Sequence, residues 1–320
     1  MPEAITMGEL LIDFVSTTTD VSLSEAPGFH KAPGGAPANV AVGLARLGVN
    51  SGFIGKVGSD PFGVYLKGVL EQAGVDTSRL LLSSEARTTL AFVATRSDGR
   101  KDITFYRNPG ADILLRPEEL DEGYIRSAKL FHFGSVSLSH EPSRSATLKA
   151  ANTAKEAGLF VSYDPNVRLM LWDDKDEALH WIWQAMPLAE VAKLAEEEWE
   201  FVVGTNDLEE GAKKILNAGP KLVVVTRGEN GCYYDDGRSR GYVPAFQVDV
   251  VDPLGAGDGF VAAMLLLLKD EDLSAGIPQQ RLEYIMRFAN AAGALTTQKV
   301  GVIPALPTRE EIERFMQSRG

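Results

Sequence analysis

The sequence contains little cysteine and less positive than negative charge. Its 320 residues include one cysteine, Cys232, which excludes an intramolecular disulfide framework, a CxxC redox pair and a metal site built from cysteines alone. Lys and Arg number 32 against 44 Asp and Glu, which gives a net charge of −12. This balance speaks against binding to duplex nucleic acid or to an anionic membrane surface, because both require a basic face. A small anionic ligand is still allowed, since one local positive pocket is enough.

The sequence also lacks a long hydrophobic run and metal-binding histidine spacing. The longest apolar run, residues 260–268, is too short to cross a membrane and predicts a core helix. The four histidines show neither HExxH spacing nor close pairing. The first residues, Met1-Pro2-Glu3, lack the positive charge of a signal peptide. With one cysteine and no targeting segment, we expect a cytoplasmic protein.

Short β-rich runs alternate with helical stretches along the chain. Residues 222–226 read Leu-Val-Val-Val-Thr and predict a buried strand, whereas residues 61–72 begin with Pro61, precede Gly74 and predict a helix. Alternation of this kind indicates βαβ units and a parallel sheet in an α/β fold. Further strands are predicted at residues 5–15, 51–57, 129–133 and 159–163, and further helices at residues 36–47, 142–157, 257–268 and 282–297.

Two segments interrupt this alternation. Residues 89–95 and 102–107 flank Ser97-Asp98-Gly99, a turn sequence, and predict a β-hairpin. Residues 14–31 are polar, irregular and partly β-like. We therefore expect a single α/β domain over residues 1–320, with a small β-sheet lid formed by about residues 14–33 and 89–110. Such lids lie over the carboxyl ends of parallel strands, where ligands bind.

The strongest local motif is Asp252-Pro-Leu-Gly-Ala-Gly-Asp-Gly-Phe, directly before an apolar helix. Gly255, Ala256 and Gly257 present backbone N–H groups with little side-chain bulk, which suits a phosphate at a helix N-terminus. Asp258 follows in the first turn, where a carboxylate beside a phosphate pocket suits a general base for an attacking hydroxyl. Taken alone, the motif is better explained as a helix start whose Asp caps its own backbone.

A second motif, Gly34-Gly35-Ala-Pro-Ala-Asn39, lies early in the chain. Its two glycines allow backbone to approach a ligand, and Asn39 offers both a donor and an acceptor near a helix start. A glycine turn with a capping Asn39 explains the motif equally well.

The two motifs, in this order and at this separation, resemble the two signatures of the PfkB (ribokinase-like) family of carbohydrate kinases. The resemblance covers essentially the whole chain. It implies a ribokinase-like fold, a doubly wound, mostly parallel sheet flanked by helices with a small β-sheet lid. It also implies ATP and Mg²⁺ as cosubstrate and metal. Residues 8–14, 31–41, 105–112 and 163–168 resemble segments of fructokinases in particular, so phosphorylation of D-fructose at its 6-hydroxyl is the expected activity.

The resemblance assigns roles to individual residues. Arg107 and Arg168 are expected to hold sugar hydroxyls or the transferring phosphoryl group, although a surface salt bridge is the alternative for each. Asp13, Gly34, Gly35 and Asn39 are the expected sugar-binding residues. Asp258 is the expected base, with Gly255, Ala256 and Gly257 as the anion-binding amides. Asn166, Thr226, Arg227, Gly228, Gly231 and Asn290 are the expected nucleotide-binding residues.

The sequence departs from the family pattern at two places. Where the family often has Asn-x-x-Glu tied to Mg²⁺, this chain has Ala195 and Glu198, so Glu198 is the candidate metal residue and a solvated acidic helix face is its alternative. Where the family commonly has two threonines, this chain has Pro253 and Leu254. A monovalent cation such as K⁺, as in some members, would therefore depend on backbone oxygens.

Two other functions compete with fructokinase. A 2-keto-3-deoxygluconate kinase of the same family shares the Asp-Pro-x-Gly-Ala-Gly-Asp variant and residues 163–168. A non-catalytic sugar-binding relative is supported only by the departures at Ala195, Pro253 and Leu254. We also expect a homodimer formed through the lid, because an open β-sheet leaves edges and an apolar face to be covered.

Overall fold

The computed structural model describes residues 1–96 and 101–319, and its strands form two sheets. Nine described strands make the large sheet, in the order β13-β12-β11-β10-β9-β8-β1-β4-β5, and four make the small sheet, in the order β3-β2-β6-β7. The strands are β1 (Ala4–Met7), β2 (Leu11–Ser16), β3 (Phe29–Gly34), β4 (Ser51–Gly58), β5 (Asp76–Ser83), β6 (Leu90–Thr95), β7 (Lys101–Tyr106), β8 (Leu130–Gly134), β9 (Phe160–Asp164), β10 (Val191–Ala195), β11 (Leu222–Thr226), β12 (Cys232–Asp235) and β13 (Arg240–Val243).

The large sheet is mostly parallel. In the order in which they lie in the sheet, β5, β4, β1, β8, β9, β10 and β11 each run parallel to the next strand. By contrast, β12 pairs antiparallel with both β11 and β13. Because every parallel connection needs a crossover, helices lie on both faces of such a sheet. The predicted α/β fold with a doubly wound, mostly parallel sheet is confirmed.

Helices cover the two faces of the large sheet in two layers. α4, α6 and α7 pack against β8 to β11 on one face, and α1, α8 and α9 pack together on the other. The helices are α1 (Ala36–Arg46), α2 (Pro61–Gln72), α3 (Glu122–Arg126), α4 (Ser143–Glu156), α5 (Lys175–Ala185), α6 (Glu196–Val203), α7 (Leu208–Ala218), α8 (Ala256–Leu268), α9 (Gln279–Thr296), α10 (Val302–Ala305) and α11 (Arg309–Ser318).

Strand β11 shows how the sequence places the sheet between these layers. Leu222 and Val224 belong to the apolar cluster with α8 and α9, whereas Val223 and Val225 belong to the cluster with α6 and α7. All four side chains are fully buried, and each such burial contributes about 1.5–3 kcal/mol. A continuous run of apolar residues is therefore what a strand buried on both faces requires.

Helix α8 runs through the centre of its layer and begins at the predicted glycine motif. Gly255 caps it with φ +77°, a left-handed conformation that favours glycine, and a Cβ there would lie 2.2 Å from Val302 Cγ1. The run from Phe260 to Leu268 is largely buried, as predicted for a core helix. No helix among residues 1–96 and 101–319 is long and apolar enough to span a membrane.

The predicted strand over residues 5–15 is wrong as a single element. It consists of β1 in the large sheet and β2 in the small sheet, separated at Gly8. Gly8 has φ +156°, and a Cβ there would lie 2.6 Å from Pro37 Cγ in α1. Close approach of the first helix thus turns the chain out of one sheet and into the other.

The small sheet contains the two segments that interrupt the α/β alternation. β2 pairs antiparallel with β3 and parallel with β6, and β6 pairs antiparallel with β7. The pairing of β6 with β7 confirms the predicted hairpin strands, and the predicted turn at residues 97–99 lies outside the described residues. One face of this sheet carries the stacked aromatic rings of Phe14 and Phe92, and the other faces the site described next.

Candidate active site

A cavity of about 860 Å³ lies at the carboxyl ends of the parallel strands. The last residues of β9, β10 and β11, which are Asp164, Ala195 and Thr226, all line it. The small sheet closes one side through Asp13 and neighbouring residues, and the start of α8 forms the floor. In open α/β sheets this edge is where ligands bind. Most of the predicted site residues line it, namely Asp13, Gly35, Asn39, Asn166, Arg168, Glu198, Thr226, Gly228, Gly231, Gly255, Ala256, Gly257, Asp258 and Asn290.

Asp258 and Asn39, predicted from motifs 219 residues apart, meet inside this cavity. Asn39 Nδ2 donates a hydrogen bond of 2.8 Å to Asp258 Oδ2. Burial raises the pKa of Asp258 to about 6, aided by the nearby carboxylate of Asp164, while the hydrogen bond from Asn39 acts in the opposite direction. A carboxyl group with a pKa near neutrality is suited to accept a proton in a reaction at pH 7.

Gly255, Ala256 and Gly257 form the first turn of α8 beside this carboxylate. The first N–H groups of an α-helix have no carbonyl partner within the helix, and its dipole favours negative charge at that end. Because Gly255 and Gly257 lack side chains, a ligand can approach these groups closely. The turn can therefore bind an anion next to Asp258.

Asp13 and the glycine pair meet at the other side of the cavity. A Cβ on Gly34 would lie 2.1 Å from Asp13 Oδ2, so only glycine leaves that carboxylate its present position. Gly35 caps α1 with φ +111°, and a Cβ there would lie 2.3 Å from Glu9 O. Asp13, Gly35 and Asn39 together line this end of the cavity, an arrangement that can bind the hydroxyl groups of a polyol.

The three predicted arginines occupy different places. Arg168 lines the cavity, and its guanidinium donates to the backbone oxygen of Val167 at 3.0 Å. Arg107 forms a buried ion pair, with 2.6 Å between its Nη2 and Asp112 Oδ2, and is not among the described residues that line the cavity. Arg227 is also outside the lining and pairs with Glu196 at 2.8 Å. This geometry favours salt bridges for Arg107 and Arg227 over contact with substrate.

Four of the predicted nucleotide residues, Thr226, Gly228, Gly231 and Asn290, line the part of the cavity formed by the end of β11 and by α9. Asn166 lies nearer the base, because it borders a small second cavity together with Asp258. Asn290, on α9, donates through Nδ2 to the backbone oxygens of Val243 and Pro244 at 3.0 and 3.2 Å. Thr226 ends β11, and the turn with Gly228 and Gly231 follows it. The cavity thus continues from the polyol-binding end, past Asp258, to a second end that can hold a flat ring.

Glu198 lies at the start of α6 and both of its carboxylate oxygens accept backbone hydrogen bonds. Oε1 accepts from Ala195 N at 2.8 Å and Oε2 from Val167 N at 2.6 Å. Burial and the nearby carboxylate of Asp164 raise the pKa of Glu198. The residue is buried and not part of a solvated acidic face, which was its alternative interpretation. Its carboxylate fixes the ends of β9 and β10 relative to each other.

The residues present fit a Mg²⁺ ion that arrives with a nucleotide. Within the described residues, no group of three or more His, Cys, Asp or Glu could hold a metal alone. Asp164 Oδ1 is buried without a hydrogen-bond partner in that part of the chain, and Asp164 and Glu198 both line the cavity. Mg²⁺ usually takes one or two carboxylates and otherwise waters and substrate phosphates, so such a pair suffices.

Sequence reasoning missed five charged residues of this cavity, namely Glu9, Asp164, Lys193, Glu197 and Glu229. Lys193 Nζ lies 3.1 Å from Asp164 Oδ2, and both side chains are less than a tenth exposed. Burial raises the pKa of Glu9 to about 7, and its Oε1 accepts a hydrogen bond from Ala36 N. The available signal was a lysine in the short apolar run Val-Ala-Lys-Leu-Ala, which indicates a buried strand with a functional charge.

The described lining carries far more negative than positive charge. Its cations are Arg168 and Lys193. Its seven carboxylates are Glu9, Asp13, Asp164, Glu197, Glu198, Glu229 and Asp258. A polyphosphate therefore needs these two cations, the helix terminus and a bound cation to enter.

Comparison with known proteins identifies relatives along the whole chain. The model of the pfkB family carbohydrate kinases matches residues 1–309. The probable fructokinase-4 of Arabidopsis thaliana is 51% identical over 314 residues, which cover 98% of this chain and 96% of that protein. A crystal structure of fructokinase with bound ATP from Xylella fastidiosa superimposes with a TM-score of 0.91 at 34% identity, covering 100% and 99% of the two chains. A fructokinase from Vibrio cholerae O395 in its fructose, ADP and calcium ion bound form gives 0.87 at 33% identity, covering 98% and 99%.

Proposed function

Because the chain belongs to the pfkB family of carbohydrate kinases, we propose that it is an ATP-dependent fructokinase. It transfers the γ-phosphoryl group of ATP to the 6-hydroxyl of D-fructose. Relatives that carry the name fructokinase, at about half identity over nearly the full length, support this substrate. The observation that carries the chemistry is the carboxylate of Asp258, held by Asn39 between a polyol-binding end and a helix N-terminus.

Asp258 is the general base of this proposal. Its carboxylate accepts the proton of the 6-hydroxyl as that oxygen attacks the γ-phosphorus in line with the leaving oxygen of ADP. The N–H groups of Gly255, Ala256 and Gly257 bind the phosphoryl oxygens, whose negative charge increases during transfer. Most of the acceleration comes from positioning and electrostatics, and the base contributes about 10²–10⁴-fold.

The sugar-binding end consists of Asp13, Gly34, Gly35 and Asn39, with the small sheet as a lid. A neutral polyol offers only hydroxyl groups, and carboxylate and amide side chains are their natural partners. The described residues of 14–33 and 89–110 form the lid of the single domain that we predict over residues 1–320. Closure of this lid over the sugar excludes water and limits hydrolysis of ATP.

The nucleotide-binding end consists of Asn166, Thr226, Gly228, Gly231 and Asn290. Mg²⁺ that accompanies ATP neutralises phosphate charge, and Asp164 and Glu198 are the residues that would hold it. A monovalent cation such as K⁺ would be bound by backbone oxygens near Pro253 and Leu254, where side-chain hydroxyls are absent. A potassium-bound fructokinase among the similar structures supports this ion.

We also propose a homodimer formed through the outer face of the small sheet. Phe92 on that face contacts Phe14, Phe29 and Tyr106, with ring centroids 5.0 to 5.3 Å apart, and Tyr106 is 64% exposed. Exposed aromatic patches of this kind are typical of interaction sites. Sedimentation equilibrium would then give twice the chain mass of 34.6 kDa. We also propose that the protein is located in the cytoplasm.

An ADP-release assay with Mg-ATP tests the catalytic proposal. Fructose and 2-keto-3-deoxygluconate are supplied separately, with Asp258→Asn as the variant. We expect turnover on fructose that falls at least about 10²-fold in the variant, with ATP binding retained. Turnover on ketodeoxygluconate alone would replace the substrate and keep the base. Sugar binding without any turnover would show a non-catalytic relative, and near-normal turnover of the variant would remove Asp258 from its role.

A further inference from the structure

Lys193 lies on the face of β10 that is turned toward α8. Strand residues alternate between faces, and Val191, two residues earlier, belongs to the apolar cluster that contains α8. Ala192 and Leu194 belong to the cluster on the opposite face. The lysine side chain therefore projects from the middle of the sheet toward the first turn of α8.

The ammonium group reaches the anion-binding turn itself. A Cβ added to Gly257 would lie 3.4 Å from Lys193 Nζ, so the amide groups of this turn and the ammonium border the same space. Asp258 lies in the same turn of α8 as Gly257, and both Asp258 and Lys193 line the cavity. An anion bound to the helix terminus would thus contact Lys193 while facing Asp258.

The ammonium group of Lys193 is buried and paired with a carboxylate. Its Nζ lies 3.1 Å from Asp164 Oδ2, and both side chains are less than a tenth exposed. An ammonium group has three donors, and in the described part of the chain only Asp164 Oδ2 accepts a hydrogen bond from it. Two N–H groups therefore remain to bind a ligand in the cavity.

We propose that Lys193 is a catalytic residue whose ammonium group contacts the phosphoryl group during its transfer, and that Asp164 is the positioning residue that holds it. This inference rests on the proposed kinase function. In phosphoryl transfer the negative charge spreads over the equatorial oxygens of the transferred group, where a fixed cation stabilises it. The competing explanation is structural, in which Lys193 only neutralises the buried carboxylates of Asp164 and Glu198.

Lys193→Met removes the charge and keeps the unbranched side chain up to the ε position. We expect kcat to fall about 10²-fold or more. The affinity for ATP should fall about 10- to 100-fold and the affinity for ADP should fall less, because only ATP brings a γ-phosphate to the lysine. Lys56→Met is the matched control, since Lys56 is an equally buried strand lysine, paired with Glu119 at 2.6 Å away from the cavity. It should lower stability and leave kcat unchanged. Lys193→Met with near-normal kcat would overturn the proposal.

Chemical rescue separates the catalytic from the structural explanation. Lys193→Cys can be alkylated with 2-bromoethylamine, which restores an ammonium at nearly the original position, while Cys232 is fully buried and protected. We expect kcat to recover at least tenfold, and a modified variant that stays inactive would contradict the proposal. Lys193→Arg, which keeps a positive charge beside Asp164, is the second variant if the neutral ones fail to fold. An unimpaired kcat in Lys193→Arg would contradict the proposal, because the proposal requires an ammonium group at this position. Wild-type turnover on the sugars, measured first, tests the kinase function separately.

Discussion

The hydrogen bond from Asn39 to Asp258 makes the pH dependence of the reaction a test of the base. A general base is active only when deprotonated, so kcat/KM should fall tenfold per pH unit below the pKa of Asp258, which is about 6. The bond from Asn39 Nδ2, at 2.8 Å, stabilises the charged form of the carboxylate. Its removal should therefore raise the pKa and move the acid limb to higher pH.

The size of the shift follows from the strength of that bond. A hydrogen bond to a charged group contributes about 1.5–3 kcal/mol, and one pKa unit corresponds to about 1.4 kcal/mol. Asn39→Leu removes the donor and keeps the branched shape of the side chain at a somewhat larger volume, so little water enters to replace it. We expect the limb to move up by about one to two pH units, from about 6 to between about 7 and 8.

The assay measures kcat/KM for fructose between pH 5 and 9 at saturating Mg-ATP. The wild type and the variant are compared with each other, because bound nucleotide adds the same charge to the site in both. Asn290→Leu is the matched control. Asn290 is as buried as Asn39 and lines the same cavity, but it donates to Val243 and Pro244 at the other end. It should change the KM for ATP and leave the limb in place. An acid limb that does not move in Asn39→Leu would show that the limb reports another group.

Two further predictions concern stability. Arg107→Ala leaves the buried carboxylate of Asp112 without its cation. We expect the free energy of unfolding, measured in urea, to fall by about 3–5 kcal/mol, with little change in the KM for fructose. A raised KM for fructose at unchanged stability would instead show that Arg107 contacts the substrate. Glu9→Gln should stabilise the protein at pH 8 by up to about 3 kcal/mol. Burial raises the pKa of Glu9 from 4.5 to about 7, so the folded state holds this proton more tightly than the unfolded state does. The wild type therefore loses stability as the pH rises through 7, and Glu9→Gln does not. The difference between Glu9→Gln and wild type should vanish toward pH 4.5, and a difference that is constant with pH would contradict this reasoning.

The alternation of strands and helices could be predicted because it is a local signal. Residues 61–72 form α2 and residues 222–226 form β11 with the predicted bounds. In α2, Asp60 accepts hydrogen bonds from Phe62 N and Gly63 N, so the cap is contained in the sequence itself. The division of residues 5–15 between two sheets was not predictable, because Gly8 breaks the strand through contact with Pro37, a residue of the following helix.

The site residues show the same division between local motifs and long-range contacts. Asn39 and Asp258 could be selected from the sequence because each lies in a motif of its own, and the structure adds the hydrogen bond between them. Arg107 and Asp112 both lie in the fructokinase-like segment of residues 105–112, but only the structure shows that they form an ion pair. Lys193 has no motif around it, since its partner Asp164 lies on the neighbouring strand, 29 residues earlier. Parallel pairing of β9 with β10, and not sequence spacing, brings the two charges together.

The charge of the cavity also explains how one site can distinguish its two substrates. Among the described residues that line the cavity, seven carboxylates face two cations and repel a free anion, whereas a neutral polyol meets hydrogen-bond acceptors and amides at the Asp13 end. A polyphosphate is stabilised at one place, where the first turn of α8 and the ammonium of Lys193 border the same space. The phosphoryl group is thus attracted to the point that Asp258 faces and repelled elsewhere in the cavity. The excess of negative charge, which in the sequence only argued against nucleic acids and membranes, here contributes to the direction of the transfer.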